Sequence, residues 1–171
     1  MSISLLSLFA SLVTASAVDE NAAKITTSRS LSIACVRDNS ENAPWYVMQQ
    51  AFATSMSTSL RGQDQSSMPV KMSPTDAASA ADELLNGKAD AVLVLGERLP
   101  SDFRDAKFTS FRAVSQMGTP VRVFHFVLLN RDPVMLATLS AAFENATSSA
   151  AFQDTIGRAS AMRVVASNSD R

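Results

Sequence analysis

The chain has 171 residues, of which 46% are hydrophobic and 18% charged, with a formal net charge of −1. This length suits one domain, or one domain plus processed ends, and the apolar content is enough for a sizeable core. The near-neutral balance argues against the clustered basic surface that nucleic-acid binding requires. A single cysteine excludes an internal disulfide, and a single histidine excludes a His-based metal cluster.

At the N-terminus, residues 5–13 (LLSLFASLV) form a short apolar run. Ala15-Ser16-Ala17 then matches the small-residue pattern of signal cleavage, and Val18-Asp19-Glu20 opens a polar segment. The run is too short to span a bilayer, so residues 1–17 read as a secretory signal peptide and 18–30 as a loose polar leader. No Lys or Arg precedes the run, which departs from the usual charged start. The alternative is an N-terminal helix packed on the domain. No Cys directly follows the run, which argues against a lipid anchor.

Leu31–Val36 reads as the first strand, and Cys35 within it as a buried small hydrophobe. A polar loop covers Arg37 to Ala43. From Pro44 to about residue 60, Trp45, Met48, Phe52, Met56 and Leu60 make an apolar stripe at helical steps. After the polar loop 61–67, residues 69–72 read as a short strand. Ser73-Pro74-Thr75-Asp76 resembles a helix start, with Ser73 as cap and Pro74 at the first helical position. Ala77, Ala81 and Leu84 supply that helix's apolar face. Gly87, after Asn86, fits the left-handed residue that ends many helices. Residues 89–95 (ADAVLVL) form an apolar run short enough for a strand buried on both faces. Strand, crossover helix and strand imply parallel pairing with a right-handed connection.

Residues 97–105 are charged and irregular. Phe108–Gln116 and Val121–Leu129, separated by the turn residues 117–120, are expected to pair as antiparallel strands. Val123–Leu129 is apolar on both faces except for His125, so this strand should lie inside the sheet. His125 reads as a core histidine with a hydrogen-bond partner, or alternatively as a ligand contact. Asp132-Pro133 is a second cap-plus-Pro helix start. The helix it opens carries Met135, Leu136, Leu139, Ala142 and Phe143 on one face. Asn145-Ala146-Thr147-Ser148 is expected to interrupt it and is formally a glycosylation acceptor. Residues 150–156 read as a shorter helix ended by Gly157, leaving 158–171 as a polar tail.

The expected architecture is therefore α/β: a three-layer sandwich with a mostly parallel sheet, made of β-α-β-α-β plus an antiparallel strand pair, and C-terminal helices. In such sheets ligands collect beyond the carboxyl ends of the strands, where helix N-termini point backbone N–H groups outward. Three loops qualify. Asp38, Asn39 and Ser40 follow strand one, Ser73 and Thr75 follow strand two, and Glu97 and Arg98 follow strand three. Ser73 and Thr75 offer hydroxyls, Arg98 suits an anion, and Asp38 and Glu97 suit a cation. No Gly-rich phosphate loop, GxSxG elbow or Ser-His-acid set is present, so no catalytic residues and no cofactor are expected.

Several segments together resemble the type II periplasmic solute-binding proteins. ELLNGKADAVLVLG carries Leu84/Leu85, Gly87, Lys88, Asp90 and Ala91 in the family's L-x-x-G-K-x-D-A spacing. VFHFVLLNRDP runs from the late strand at Phe126 into Arg131-Asp132-Pro133 and the next helix. The similarity covers residues 31–157 and implies one lobe of that fold. The family has two lobes that close on a solute, and here the segment 97–120 stands where a second lobe would be inserted. What the resemblance implies is an exported, non-enzymatic, single-lobe module, periplasmic or secreted, that binds a small polar or anionic solute. Its partner would be a membrane transporter or sensor protein, and a second copy of the chain could complete the cleft as a homodimer. The alternative is a protein-interaction or sensor-associated domain that keeps the fold without the solute.

Overall fold

The computed structural model describes residues 30–37, 45–61, 68–116 and 121–169, with side chains described as far as Ala159. The expected signal peptide and the leader up to residue 29 lie outside the described residues, as do Asp38, Asn39 and Ser40.

Five strands form one mixed sheet in the order β2-β1-β3-β5-β4. They are β1 (Leu31–Arg37), β2 (Val70–Thr75), β3 (Ala91–Leu95), β4 (Phe108–Val114) and β5 (Val123–Leu129). β1 pairs in parallel with β2 and β3, while β5 pairs antiparallel with β3 and β4. Every strand but β5 therefore points the same way. The sheet is mixed in its ladders, two parallel and two antiparallel, rather than mostly parallel. β5 lies inside the sheet, as its two apolar faces require.

Alternation in the central strands builds two cores. Ile33, Cys35, Leu93, Phe124, Phe126 and Leu128 face one side. There they meet α1 (Trp45–Ser59), α3 (Pro133–Ser148) and α4 (Ala150–Ser169). Phe52 of α1, fully buried, sits among the rings of Phe126, Phe143 and Phe152 at centroid distances of 6.3, 6.0 and 6.1 Å. Phe126 stacks on Phe143 at 5.0 Å. Ala34, Val36, Val92, Val94 and Val127 face the other side, against α2 (Ala77–Leu85) and a one-turn helix at Ser101–Phe103. Helices on both faces make this a three-layer α/β fold.

Three boundaries differ from the sequence expectation. The helix start read at Ser73-Pro74 is strand: β2 runs on through Thr75, with Cys35 opposite Pro74 and Val36 opposite Thr75. In this ladder Leu31 donates to the Pro69 carbonyl, so alternate residues 71, 73 and 75 face β1 while 70, 72 and 74 face outward. Pro74, which lacks an N–H, thus falls on the open edge, where no ladder bond is lost. Asp76 caps α2 instead, its carboxylate accepting from the Ser79 N–H at 2.9 Å. Second, Asn145–Ser148 does not interrupt α3. Thr147 and Ser148 return their hydroxyls to carbonyls one turn back, and the break comes at Ser149. Third, Gly157 does not end α4. Ile156 and Ala159, both buried on either side of it, hold the helix through the glycine. Residues 97–116 supply the one-turn helix and β4, and β4 pairs antiparallel with β5 as expected.

Other expectations match. Gly87 is left-handed at φ 68° behind the Asn86 cap. Asp132 caps α3 by accepting from the Val134 and Met135 N–H groups at 2.9 and 3.2 Å. Asp90 ties two strands together. Its carboxylate accepts from the Ser32 N–H at 2.8 Å, while its own N–H donates to the Ser32 carbonyl. Strand β3 is thereby registered on β1 one residue before their ladder begins.

Candidate functional site

Because β1, β2 and β3 run parallel and side by side, Arg37, Thr75 and Leu95 all end at one rim. The antiparallel turn of β5 brings Val123 to the same rim, where the Gly96 N–H donates to its carbonyl at 3.1 Å. A cleft of about 560 Å³ opens there on the α2 face. Buried Val36, Val94 and Leu95 form its floor. Thr75, Asp76 and Ala77 make one wall, and Gly96, Arg98 and Pro100 the other, with Arg37 at the mouth.

Of the residues singled out from the sequence, Thr75 and Arg98 line this cleft. Ser73 does not: it lies inside β2 opposite Ala34, exposed and one pleat short of the rim. Glu97 is exposed beside the cleft and is not part of its lining. Two further lining residues, Arg37 and Asp76, lie in the loops expected to gather ligands but are not singled out by the sequence as contacts. Arg37 is the first charged residue after the apolar run of strand one, and that place at a carboxyl end is a signal for it. Asp76 falls in the first turn of the helix expected from Ser73, whereas in the structure it is the cap itself.

The electrostatics follow from these positions. Asp76 fills the N-terminus of α2: one carboxylate oxygen accepts from the Ser79 N–H and the other from the Ser79 hydroxyl at 2.7 Å. These bonds, led by the backbone N–H, hold its carboxyl below the ordinary value. An anion therefore meets a carboxylate at the helix start, and its attraction must come from the guanidinium groups. Arg37 and Arg98 are both exposed, and among the described residues neither is in an ion pair. Among the described residues, two cations against one carboxylate leave the lining at +1, suited to a small anion or to a polar solute with an acidic group.

His125 continues the cleft floor across the sheet. Thr75 lies opposite Val36, Val36 opposite Val94, Val94 opposite His125, and His125 opposite Arg112, all in one row on the α2 face. The imidazole is buried, with 7% of its surface exposed, and its Nε2 has no hydrogen-bond partner. The expected backbone partners of a core histidine are Glu97 and Gly96, while Nε2 is left as an uncompensated buried polar atom costing about 1–3 kcal/mol. Burial pushes its pKa below the ordinary value and Arg112 adds to that, while the backbone carbonyls of Glu97 and Gly96 pull the other way.

Cys35 lies on the opposite face and is inert: burial pushes its thiol up to about 12, against smaller opposing effects of Gln49 and Ser73. No group of three or more His, Cys, Asp or Glu placed to hold a metal occurs among the described residues. No helix among them is long and apolar enough to cross a membrane. Comparison with known proteins finds no matching family model, no matching curated protein and no matching solved structure.

Proposed function

We propose that the chain is an exported, non-enzymatic solute-binding module, one lobe of a periplasmic-binding-protein-like fold, which holds a small anionic solute in the rim cleft. The single observation that carries this reading is a pair of arginines, Arg37 and Arg98, with no ion pair among the described residues, lining an apolar-floored cleft at the carboxyl ends of three parallel strands. The β-α-β-α-β order followed by an antiparallel pair supports the same reading, because it is the arrangement that the resemblance to type II solute-binding proteins implies for one lobe. The cleft is open on the solvent side, so one lobe alone binds weakly. Tighter binding would require a second copy of the chain or a membrane transporter or sensor component.

A thermal-shift screen with oxyanions, carboxylates, amino acids and neutral sugars tests the proposal. A ligand at about a hundred times its dissociation constant stabilises the fold by about 2.7 kcal/mol. The expected result is a rise in melting temperature with an anionic solute, lost in Arg37→Ala plus Arg98→Ala. A shift unaffected by that double variant, or a shift with neutral sugars only, overturns it.

The second reading is an interaction or sensor-associated domain without solute. It is favoured by the open edge of β2, beside which a groove of about 480 Å³ runs under α1, with Tyr46 68% exposed at its end. Absence of any solute shift, together with a protein that crosslinks beside Tyr46, would select this reading.

A further inference from the structure

On one side the sheet ends at β2, and that edge is open. Val70, Met72 and Pro74 turn their backbone groups away from β1. The Val70 and Met72 side chains pack half-buried on the α1 face. Above them α1 presents a stripe at helical spacing, Tyr46, Gln50, Ala53 and Thr54, and the two elements line the groove of about 480 Å³. Tyr46 is the most exposed large hydrophobic residue among those described, and no lining residue among them is charged.

We propose that β2 is a homodimer edge: β2 of a second copy adds to it antiparallel across a two-fold axis at Met72, joining the two sheets with both α1 helices on one face. The edge is complementary to itself in this register. The two Met72 residues exchange N–H to carbonyl bonds in both directions. Each Val70 N–H meets the carbonyl of Pro74 in the other copy, a residue that accepts but cannot donate. The Val70 carbonyls, at the two ends, are left to water. On the α2 face Lys71 stands opposite Ser73 of the other copy, in the closer kind of antiparallel pair. An axis one residue earlier would set Lys71 against Lys71. An axis one residue later would pair Met72 with Pro74 and lose a bond at both central pairs. At a net charge of −1, two copies meet without strong long-range repulsion. This self-matching favours a second copy over a foreign strand. A face one strand and one helix wide and about 20 Å long falls short of the roughly 800 Å² per partner of a standard interface, so the pair is reversible. Because the paired strands oppose, the two rims lie at opposite ends of the joined sheet and both clefts stay open. The dimer is therefore independent of solute binding.

The test is analytical ultracentrifugation of the full chain from about 1 µM to about 500 µM, without added solute. The expected result is a reversible monomer–dimer equilibrium. Met72→Pro removes the N–H at the axis, which the β1 ladder does not use, and should leave a monomer throughout. Ser73 is exposed, so its variants probe the register alone. Ser73→Asp faces Lys71 of the other copy twice and should tighten the dimer roughly two- to thirtyfold, and Ser73→Lys should weaken it by a similar factor. Both effects should shrink as salt is added. If Met72→Pro does not fold, the two Ser73 variants carry the test. The proposal is overturned by a chain that stays monomeric over the whole range, which would leave the edge to a foreign partner. It is equally overturned by a dimer that survives in folded Met72→Pro, or by Ser73→Asp and Ser73→Lys shifting the equilibrium the same way or not at all.

Discussion

Removing the Phe52 ring should cost more than any other single truncation on the α1 face. The side chain is fully buried and touches three other rings, one each from β5, α3 and α4. Phe52→Ala loses the transfer energy of a large side chain, leaves a cavity between three elements, and breaks three tilted or edge-on ring contacts. Phe→Ala changes in cores cost about 3–5 kcal/mol, and the density of partners here places this one near the upper end. At about 3 °C per kcal/mol for a chain of this size, the melting temperature should fall by roughly 14 °C. The matched control is Phe103→Ala on the other face, 2% exposed but with one ring neighbour, Phe108, at 5.6 Å. Its loss should be smaller. Circular dichroism in urea and on heating measures both. A Phe52→Ala protein melting within about 3 °C of the parent, or a Phe103→Ala protein that is the less stable of the two, would refute the placement of the main core.

Three further outcomes are expected. A Cβ at Gly87 would meet nothing within 4 Å, so Gly87→Ala and Gly87→Val test backbone strain alone. Each should lose on the order of 1 kcal/mol in denaturation, and Gly87→Asn clearly less, because Asn tolerates the left-handed region. Asp90→Ala removes the acceptor for the Ser32 N–H and should cost about 1–3 kcal/mol, with Asp90→Asn recovering part of it in the same assay; equal stability of all three proteins would remove Asp90 from the β1–β3 register. With its thiol buried and pushed up to about 12, Cys35 should resist a thiol-specific reagent at neutral pH until the chain unfolds; rapid native labelling would contradict its burial.

The parallel core is legible in the sequence because its signals are local. ADAVLVL is apolar at nearly every position, which only a strand covered on both faces needs, and Gly87 and Asp132-Pro133 punctuate their helices by backbone chemistry alone. Ser73-Pro74 misleads because a proline that opens a helix and a proline on an open strand edge look the same in sequence. The difference is the neighbour, β1, which pairs with residues 71, 73 and 75. Gly157 misleads in the same way: the packing of Ile156 and Ala159 outweighs the roughly 1 kcal/mol helix penalty of a glycine. In the cleft, Thr75 and Arg98 are accessible as polar residues at strand ends, but Arg37 is hidden at the strand's own last position. The missing partner of the His125 Nε2 has no sequence signal at all, since it depends on what three other segments place around the ring.

The most direct measurement on the central claim is a residue-resolved titration of the full chain with inorganic phosphate and a small carboxylate, followed through backbone amide shifts. The cleft account predicts saturable changes confined to Val36–Arg37, Thr75–Ala77 and Gly96–Pro100, abolished when both Arg37 and Arg98 are alanine. Changes centred instead on the groove between α1 and β2, or the same pattern surviving the loss of both arginines, would contradict it.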